Sequence, residues 1–242
     1  EVMVKQLKGN LNAKLEVFVE AVKQEKFREM IFNGLLNTLL IAVVGLLIGI
    51  VIGMIIAVIK IAPHDKWYMK VLSSLCTGYT AVFRGTPIVV QLLLAYYVIL
   101  PLLGVKGIVA LNVAIIVFGL NSGAYVSEIM RSGLTSVDKG QMEAGRSLGF
   151  NYIQTMIYII VPQMFKVVLP TLCNEFIALL KETSVAGYVG VIDLTKAGNT
   201  IAGRTFSYFI PLLTVAVVYL VLVVILTNLV GRLERRLRKS DR

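Results

Sequence analysis

Long apolar runs, separated by short polar stretches that carry the charges, dominate the chain. The run between Glu29 and Lys60 contains no charged residue, and three further uncharged runs cover 85–105, 107–127 and 205–231. A helix needs about 20 apolar residues to cross the hydrocarbon core of a bilayer, and each of these runs is long enough. The pattern therefore predicts membrane-spanning helices.

The stretch 147–181 is also apolar, but its pattern allows two assignments. Hydropathy permits a span at 147–165 or at about 164–180, and the polar residues needed for a turn between two spans are absent. We place the span in the second half, because amide side chains suit the first half to an interface: Asn151, Gln154 and Gln163. Pro162 and Pro170 predict bends.

The resulting fold class is an all-α membrane protein with a cytoplasmic elbow between its third and fourth spans. Its five predicted transmembrane helices lie at about 35–60, 86–104, 108–130, 164–181 and 206–232. In the first span Gly45, Gly49 and Gly53 lie four residues apart, on one face of the helix. Small residues at this spacing allow close approach of a second helix, although incidental glycines on a lipid-facing helix would show the same pattern.

The basic residues predict the orientation of these spans. The basic C-terminal tail and the connections 60–84 and 131–150 are expected to face the cytoplasm, where short loops carry an excess of lysine and arginine. Five spans then place the N-terminus outside and the C-terminus in the cytoplasm. A sixth span at 67–83 would move the connection 131–150 outside, which the charge pattern disfavours.

The same pattern divides the chain into three segments. Residues 1–33 interleave charged and apolar positions with the spacing of an amphipathic helix on a membrane surface, and a solvated leader helix fits equally well. Residues 34–238 are the transmembrane domain, and 239–242 are a cytoplasmic tail.

Composition narrows the classes of function. Of the 242 residues, 57% are hydrophobic and 16% are charged, against about 25% charged in a typical soluble domain. The net charge of +10 lies outside the apolar runs, which suits loops beside an anionic leaflet better than nucleic acid. Cys76, Cys173 and the single histidine, His64, form no metal-binding motif. We therefore predict no metal site and no catalytic residue.

The polar connection after the third predicted span is expected to form an elbow of two short helices. Thr135 and Asp138 have the spacing of a capping box that would start the first helix. Gly149 is placed as a helix stop in the left-handed conformation. The second helix is expected from about Tyr152 to Pro162, and Glu143 is three residues from Arg146, a spacing that allows an ion pair on the helix surface.

The elbow carries a recognisable motif. It reads Glu143-Ala144-Gly145, three residues, Gly149, nine residues and Ile159-Ile160-Val161-Pro162. This resembles the "EAA" signature of permease subunits of bacterial ATP-binding-cassette importers, which is Glu-Ala-Ala, glycine and Ile-x-Leu-Pro. Gly145 and Val161 depart mildly from it.

Further blocks resemble the polar amino-acid permeases within that family. They are Arg84-Gly85-Thr86-Pro87-Ile88-Val89-Val90-Gln91, Asn121-Ser122-Gly123-Ala124-Tyr125, Lys181-Glu182-Thr183-Ser184 and Leu233-Glu234-Arg235-Arg236-Leu237. The likeness covers about residues 33–238, and its blocks occur in the right order.

The resemblance implies a type I importer in the bacterial inner membrane and a set of partners. Two permease subunits, identical or different, would stand on two ATP-binding-cassette ATPases, and an extracytoplasmic solute-binding protein would deliver the amino acid. ATP and Mg would bind the partner ATPase, because this chain has no GxxxxGK[ST] loop, and the chain itself would bind no cofactor and no nucleic acid. The elbow would contact the ATPase through Glu143, Ala144, Gly145, Arg146 and Gly149.

Polar groups inside the spans are the candidates for ligand binding. Glu175, which follows Asn174, would favour a cationic side chain if ionised, so we predict arginine, lysine or histidine as the ligand. The alternatives are a protonated Glu175 bonded to a neighbouring helix, and a permease for glutamine or glutamate. The groups common to all amino acids are assigned to Asn121, Ser122, Tyr125, Thr183 and Ser184, each of which would also serve as a helix-packing residue. Arg84 is a candidate gate residue, or a positive-inside anchor.

Two other classes of membrane protein fit less well. A secondary transporter or channel would show internal repeats and more spans than five. A membrane enzyme would need a metal cluster, a histidine network or a nucleophile with its base, none of which the sequence contains.

Overall fold

The computed structural model describes residues 25–62, 65–105 and 107–239, together with positions 13, 15, 16, 19, 20 and 23. This part of the chain is helical and contains no strand. The segment predicted to lie at the interface, 1–33, falls largely outside the described residues. The first helix that is described without gaps begins at Glu25, so it crosses the predicted boundary at 33.

From Glu25 onward the helices follow one another with short connections. They are α1 (Glu25–Ile61), α2 (Trp67–Gly85), α3 (Ile88–Leu102), α4 (Ala110–Ser136), α5 (Lys139–Ser147), α6 (Tyr152–Val189), α7 (Leu194–Thr205) and α8 (Phe209–Lys239). Helix α3 contains a π-helical stretch at Ala95–Ile99, and α6 contains another at Met156–Ile160. The last turns of α6, Thr183–Val189, are 3-10 helix.

Four of these helices are long and apolar enough to cross a membrane: α1, α4, α6 and α8. Helices α2 and α3 meet that test only as a pair, with a bend of 106° between them. Helix α3 alone spans only about 22 Å, short of the roughly 30 Å hydrocarbon core. The predicted span at 86–104 is therefore corrected, because a crossing at this point needs part of α2 as well. Four to five spans agree with the predicted fold class.

Helices α1 and α4 pack closely along the predicted glycine stripe. A Cβ atom on Gly49 would lie 2.6 Å from Ser122 Oγ, and one on Gly53 would lie 2.8 Å from the backbone nitrogen of Ser127. Gly45 faces Phe118 in the same way. Since the residue numbers rise together on both helices, α1 and α4 run parallel. The close approach predicted for this stripe is confirmed.

Helix α6 is one continuous element rather than an elbow arm followed by a separate span. It begins at Tyr152, as predicted, but passes through Pro162 and Pro170 instead of ending at the first proline. The π-helical stretch ends immediately before the segment that holds Pro162, and such a wide turn can accommodate a residue that lacks an N–H donor. The two assignments of 147–181 thus become a single helix of 38 residues.

The connection between α6 and α8, predicted to face outside, contains the additional helix α7. Asp193 caps this helix by accepting hydrogen bonds from the N–H groups of Thr195 and Lys196, at 2.8 and 3.2 Å. The Asn37 side chain of α1 donates to the carbonyl of Ile192 at 2.9 Å. These bonds attach the connection to the start of the first span.

Candidate functional site

The first helix of the elbow, α5, begins at Asp138. The Asp138 carboxylate accepts a hydrogen bond from the N–H of Gly140 at 2.6 Å, which caps the helix. Thr135 is still part of α4, where its hydroxyl donates to the carbonyls of Arg131 and Ser132. The predicted capping box between Thr135 and Asp138 is therefore wrong, because α4 extends to Ser136 and occupies the threonine hydroxyl.

The predicted stop at Gly149 is confirmed. Gly149 has a φ of +89°, in the left-handed region that favours glycine. The N–H of Phe150 donates to the carbonyl of Gly145 at 3.2 Å, and the N–H of Gly149 donates to that of Arg146 at 3.0 Å. This pair of bonds is a Schellman motif, which satisfies the last carbonyls of α5.

The two arms of the elbow are in direct contact at Gly145. A Cβ atom at this position would lie 2.5 Å from Thr155 Cγ2 on α6, so only glycine fits without a shift. Asn151 and Gln154 form a reciprocal capping box that starts α6 at this contact. A bond of 3.1 Å between the amides of Gln163 and Gln141 adds a second link. The elbow is thus a packed unit rather than a loose loop.

The residues predicted to contact an ATPase differ in their accessibility. Glu143, Ala144, Arg146 and Gly149 are exposed, whereas Gly145 is buried against α6. Gly145 therefore shapes the elbow from inside. Glu143 and Arg146, both of which the structure describes, form no ion pair with each other, although their spacing allows one. Both side chains are exposed, so their charges are accessible to a partner protein.

The junction between α2 and α3 is held by a network of amide hydrogen bonds. Gln91 Nε2 donates to the carbonyls of Phe83 and Thr86, at 2.9 and 3.0 Å. Asn121 Nδ2 on α4 donates to the same Phe83 carbonyl at 3.1 Å and to Gln91 Oε1 at 3.0 Å. Helix α2 ends here and α3 begins, so the network satisfies backbone groups that the break exposes.

Several residues predicted to hold the ligand are buried in helix contacts. Asn121 belongs to the junction network, and the Ser122 hydroxyl lies against Gly49 of α1. Thr183 is fully buried and donates to the carbonyl of Leu180, while Ser184 is half-buried. Ligand contact by these residues remains a prediction, and their burial does not favour it.

Glu175 and Asn174 lie on the outward face of α6. This face carries a polar stripe at helical spacing, which is interrupted for one turn at Ala178 and is formed by Thr171, Asn174, Glu175, Lys181 and Glu182. Asn174 is exposed and Glu175 is half-buried. Leu172 shares a packed cluster with Val126 of α4, and Leu179 shares another with Phe118. Glu175 is therefore level with the middle of α4.

Arg84 and Tyr125 meet at the α2–α3 junction. The Arg84 guanidinium lies over the Tyr125 ring, with its central carbon 5.5 Å from the ring centroid. Both residues are exposed on the surface of this single subunit. Tyr125 lies near the midpoint of α4, so the predicted gate residue is deeper than the cytoplasmic end of a span.

Sequence reasoning missed an ion cluster that joins α1, α2 and α4. Lys60 Nζ donates to Glu128 Oε1 at 2.9 Å and to Thr80 Oγ1 at 3.0 Å. Arg131 donates to the other oxygen of Glu128 through Nε and Nη2. The sequence contained a signal for this cluster. Lys60 and Glu128 each end an uncharged run, and both runs end on the side predicted to be cytoplasmic, so opposite charges could meet there.

Two grooves lie on the described part of the subunit, and neither contains the predicted ligand residues. One, of about 330 Å³, lies between α1, α6 and α8 and includes Cys173. The other, of about 270 Å³, lies between α1, α4 and the start of α6. Both are lined almost wholly by apolar side chains, which suit acyl chains or neighbouring helices rather than a polar solute. The polar stripe of α6 lies outside both grooves.

Comparison with known proteins identifies the family. The chain belongs to the family of binding-protein-dependent transport system inner membrane components, whose profile matches residues 49–239. It is a multi-pass inner-membrane permease subunit with the type I importer fold, and the predicted resemblance is confirmed. The family implies an ATPase partner and a binding protein, and the chain is not itself catalytic.

Individual relatives are named for different substrates. The chain is 40% identical over 163 residues to the arginine transport system permease protein ArtQ of Bacillus subtilis, covering 67% of this chain and 74% of that protein. It is also 40% identical over 159 residues to the putative glutamine transport system permease protein GlnP of Rickettsia bellii, covering 66% and 72%.

Solved structures agree with the fold. A chain from the crystal structure of an amino acid ABC transporter with histidines has a TM-score of 0.81 and 37% identity, covering 90% of this chain and 98% of that one. A chain of the inward-facing MetNI methionine ABC transporter has a TM-score of 0.74 and 20% identity, covering 88% and 99%. The second likeness concerns the fold alone.

Proposed function

We propose that this chain is the transmembrane subunit of an ATP-driven importer for basic amino acids. The observation that carries the proposal is the polar stripe of α6, with Glu175 level with the middle of α4. Ionisable groups at this depth are costly toward lipid, and they normally face a pathway or a partner. An acidic group in the pathway favours arginine, lysine or histidine over neutral amino acids.

The comparisons support an amino acid as the solute, and they leave two substrate classes to separate. A relative named for arginine and a structure described with histidines favour the basic class. Relatives named for glutamine favour an amide as the alternative, at the same level of identity. Glu175 is the residue on which the two proposals differ, because only a cationic ligand gains from its negative charge.

The elbow supports the second half of the proposal, which is coupling to ATP hydrolysis. Helix α5 is rigidly packed against α6 and presents Glu143, Ala144 and Arg146 outward. We place two ATPase subunits, which bind ATP and Mg, below two permease subunits, with α5 docked on the ATPase. The N-terminus then lies outside, where a solute-binding protein delivers the ligand, and the C-terminus lies in the cytoplasm. Closure of the ATPases would rock the packed helices between two states.

Ligand-stimulated ATP hydrolysis by the complex reconstituted in liposomes tests the substrate class. Arginine, lysine, histidine and glutamine are compared in the wild type and in Glu175→Gln. We expect basic amino acids to stimulate the wild type and Glu175→Gln to lose at least tenfold in apparent affinity for them. Asp65→Asn, which neutralises an exposed acid in the α1–α2 connection, is the control. Unchanged arginine stimulation in Glu175→Gln, or stimulation of the wild type by glutamine alone, contradicts the basic class.

Co-purification tests the coupling. We expect Glu143→Lys to reduce the amount of ATPase that purifies with the chain, since it reverses an exposed charge on α5 without disturbing a buried contact. The control is Lys70→Glu, which reverses an exposed charge on α2. Gln154→Lys would not serve as a control, because Gln154 caps α6. Transport by the chain alone, without nucleotide, would instead identify an ATP-independent secondary transporter.

A further inference from the structure

We propose that Arg84 binds the α-carboxylate of the transported amino acid, and that Tyr125 positions its guanidinium group. This inference rests on the proposed function and adds a site for the group that every amino acid shares. It assigns Arg84 a role in ligand binding rather than in anchoring the helix to the cytoplasmic surface.

The depth of Arg84 argues against a surface anchor. Its guanidinium lies 5.5 Å from the ring centroid of Tyr125, which is near the midpoint of α4. The neighbouring carbonyl of Phe83 accepts from Asn121, one helical turn before Tyr125. Arg84 therefore lies well inside the span rather than at its end, where a positive-inside anchor would be found.

The surroundings of Arg84 leave its charge available to a ligand. Ion pairs among the described residues involve Lys60, Glu128 and Arg131, and none includes Arg84. Arg84 is exposed, and a Cβ atom on the adjacent Gly85 would meet nothing within 4 Å, so the α2–α3 junction is open at this point. A cation at this depth without an acidic partner must face water, a ligand or the second subunit.

Arginine in this position has the chemistry that a carboxylate requires. The guanidinium is planar and presents parallel N–H donors that match the two oxygens of a carboxylate. The guanidinium makes a cation–π contact with the Tyr125 ring, and no hydrogen bond among the described residues occupies its N–H donors. The ring contact restricts the side chain before the ligand arrives, which reduces the entropy lost on binding.

Other residues considered for the carboxylate are less accessible. Asn121 donates both of its described bonds to the α2–α3 junction, and Thr183 is fully buried. Arg84 is exposed, and Glu175 lies at a similar depth on α6. A basic amino acid carries a carboxylate at one end and a cation at the other, so Arg84 and Glu175 have complementary charges for its two ends.

Direct binding to the detergent-solubilised complex tests the inference without the solute-binding protein, which has carboxylate requirements of its own. The probes form two pairs, each an amino acid with its decarboxylated analogue. They are L-arginine with agmatine, and L-glutamine with 4-aminobutanamide. We expect Arg84→Ala to weaken binding of the amino acid about tenfold to a hundredfold and to leave binding of the decarboxylated analogue unchanged. Arg84→Lys should retain part of the affinity, because a lysine keeps the charge but not the paired donors.

Controls separate a lost contact from a lost fold. Lys70→Ala removes an exposed cation from the same helix and should bind all four probes as the wild type does. Basal ATP hydrolysis reports an assembled complex, and Arg84→Gln replaces Arg84→Ala if the alanine variant does not assemble. Equal losses for an amino acid and its analogue, or no loss for either, overturn the assignment of Arg84. If neither amino acid binds the wild type, the proposed function fails, and this inference fails with it.

Discussion

Lys60, near the end of α1, and Glu128, in the last third of α4, form an ion pair with an Nζ–Oε1 distance of 2.9 Å. Their side chains are only 11% and 21% exposed, and Thr80 of α2 accepts a further bond from the same ammonium group. The Lys60 ammonium group therefore connects three helices, α1, α2 and α4, on the side of the elbow. Removing one partner from such a site leaves a buried charge without compensation.

We expect Glu128→Ala to destabilise the folded chain by about 3 kcal/mol, because both Lys60 and Arg131 lose their acceptor. Thermal unfolding of the purified complex measures this effect. The double variant Lys60→Met with Glu128→Leu removes both charges of the pair, and we expect it to recover most of the loss. A double variant as unstable as Glu128→Ala would show that the cluster acts through packing rather than charge.

The glycine stripe of α1 gives a second prediction. Gly53→Ala places a methyl group 2.7 Å from Val126 Cγ1 and 2.8 Å from a backbone nitrogen of α4, so the two helices must separate. We expect a loss of about 1–3 kcal/mol, measured as a lower midpoint of thermal unfolding. Gly78→Ala is the matched control, because a Cβ atom there would lie in open space on α2. That substitution should leave stability unchanged or raise it by up to about 1 kcal/mol.

Local sequence patterns were sufficient to predict the features that depend on neighbouring residues. The apolar runs located the long helices, the four-residue spacing located the α1–α4 contact, and Gly149 located the end of α5. Each of these follows from helix periodicity or from the conformation of a single residue. The family motifs added the identity of the elbow.

The remaining features depend on residues far apart in the chain. The bend between α2 and α3 is held by Asn121, which is 38 positions after the Phe83 carbonyl that it bonds. The Lys60–Glu128 pair spans 68 positions. Nothing in the local pattern distinguishes Asn121 as a buried structural amide from Asn174 as an exposed one, because both follow apolar residues. Burial decides between them, and burial is a property of the packed helices.

Gly145 gives a third prediction, at the point where this chain departs from the Glu-Ala-Ala pattern. An alanine here would place its Cβ 2.5 Å from Cγ2 and 2.9 Å from Oγ1 of Thr155. We expect Gly145→Ala to change the angle of α5 and to reduce the amount of ATPase that co-purifies in the proposed complex several-fold. The measurement is the ratio of the two subunits after purification.

A second substitution shows whether the contact with Thr155 is the cause. Thr155→Ala removes the two closest atoms that the new methyl group would meet and leaves the flexible end of Ile159, at 3.1 Å, so we expect Gly145→Ala combined with Thr155→Ala to restore most of the co-purification. Thr155→Ala alone should have a small effect, because its hydroxyl bonds only the Asn151 carbonyl of its own turn among the described residues. Equal losses in Gly145→Ala and in the double variant would contradict this explanation.

The buried cap of α7 gives a prediction about pH. Burial raises the pKa of the Asp193 carboxyl above its ordinary value, although hydrogen bonds from the N–H groups of Thr195 and Lys196 act in the opposite direction. The Asp193 carboxyl therefore binds its proton more tightly in the folded chain than in the unfolded chain. The contribution of Asp193 to stability is largest below its ordinary pKa, near 4, and is lost as the pH rises through the folded pKa.

We expect the wild type to gain stability from this group as the pH falls from 8 toward the ordinary aspartate pKa, near 4, and Asp193→Asn to lack that gain. Asparagine caps helices about as well as aspartate and stays neutral, so the variant should be at least as stable as the wild type at pH 8. Thermal unfolding across this range gives the two slopes, and Asp138→Asn, at the exposed cap of α5, controls for the removal of a capping carboxylate. Identical slopes for the wild type and Asp193→Asn would show that the pH dependence arises elsewhere. If Asp193→Asn is instead less stable than the wild type at pH 8, the ionised carboxylate stabilises α7 by more than its burial costs.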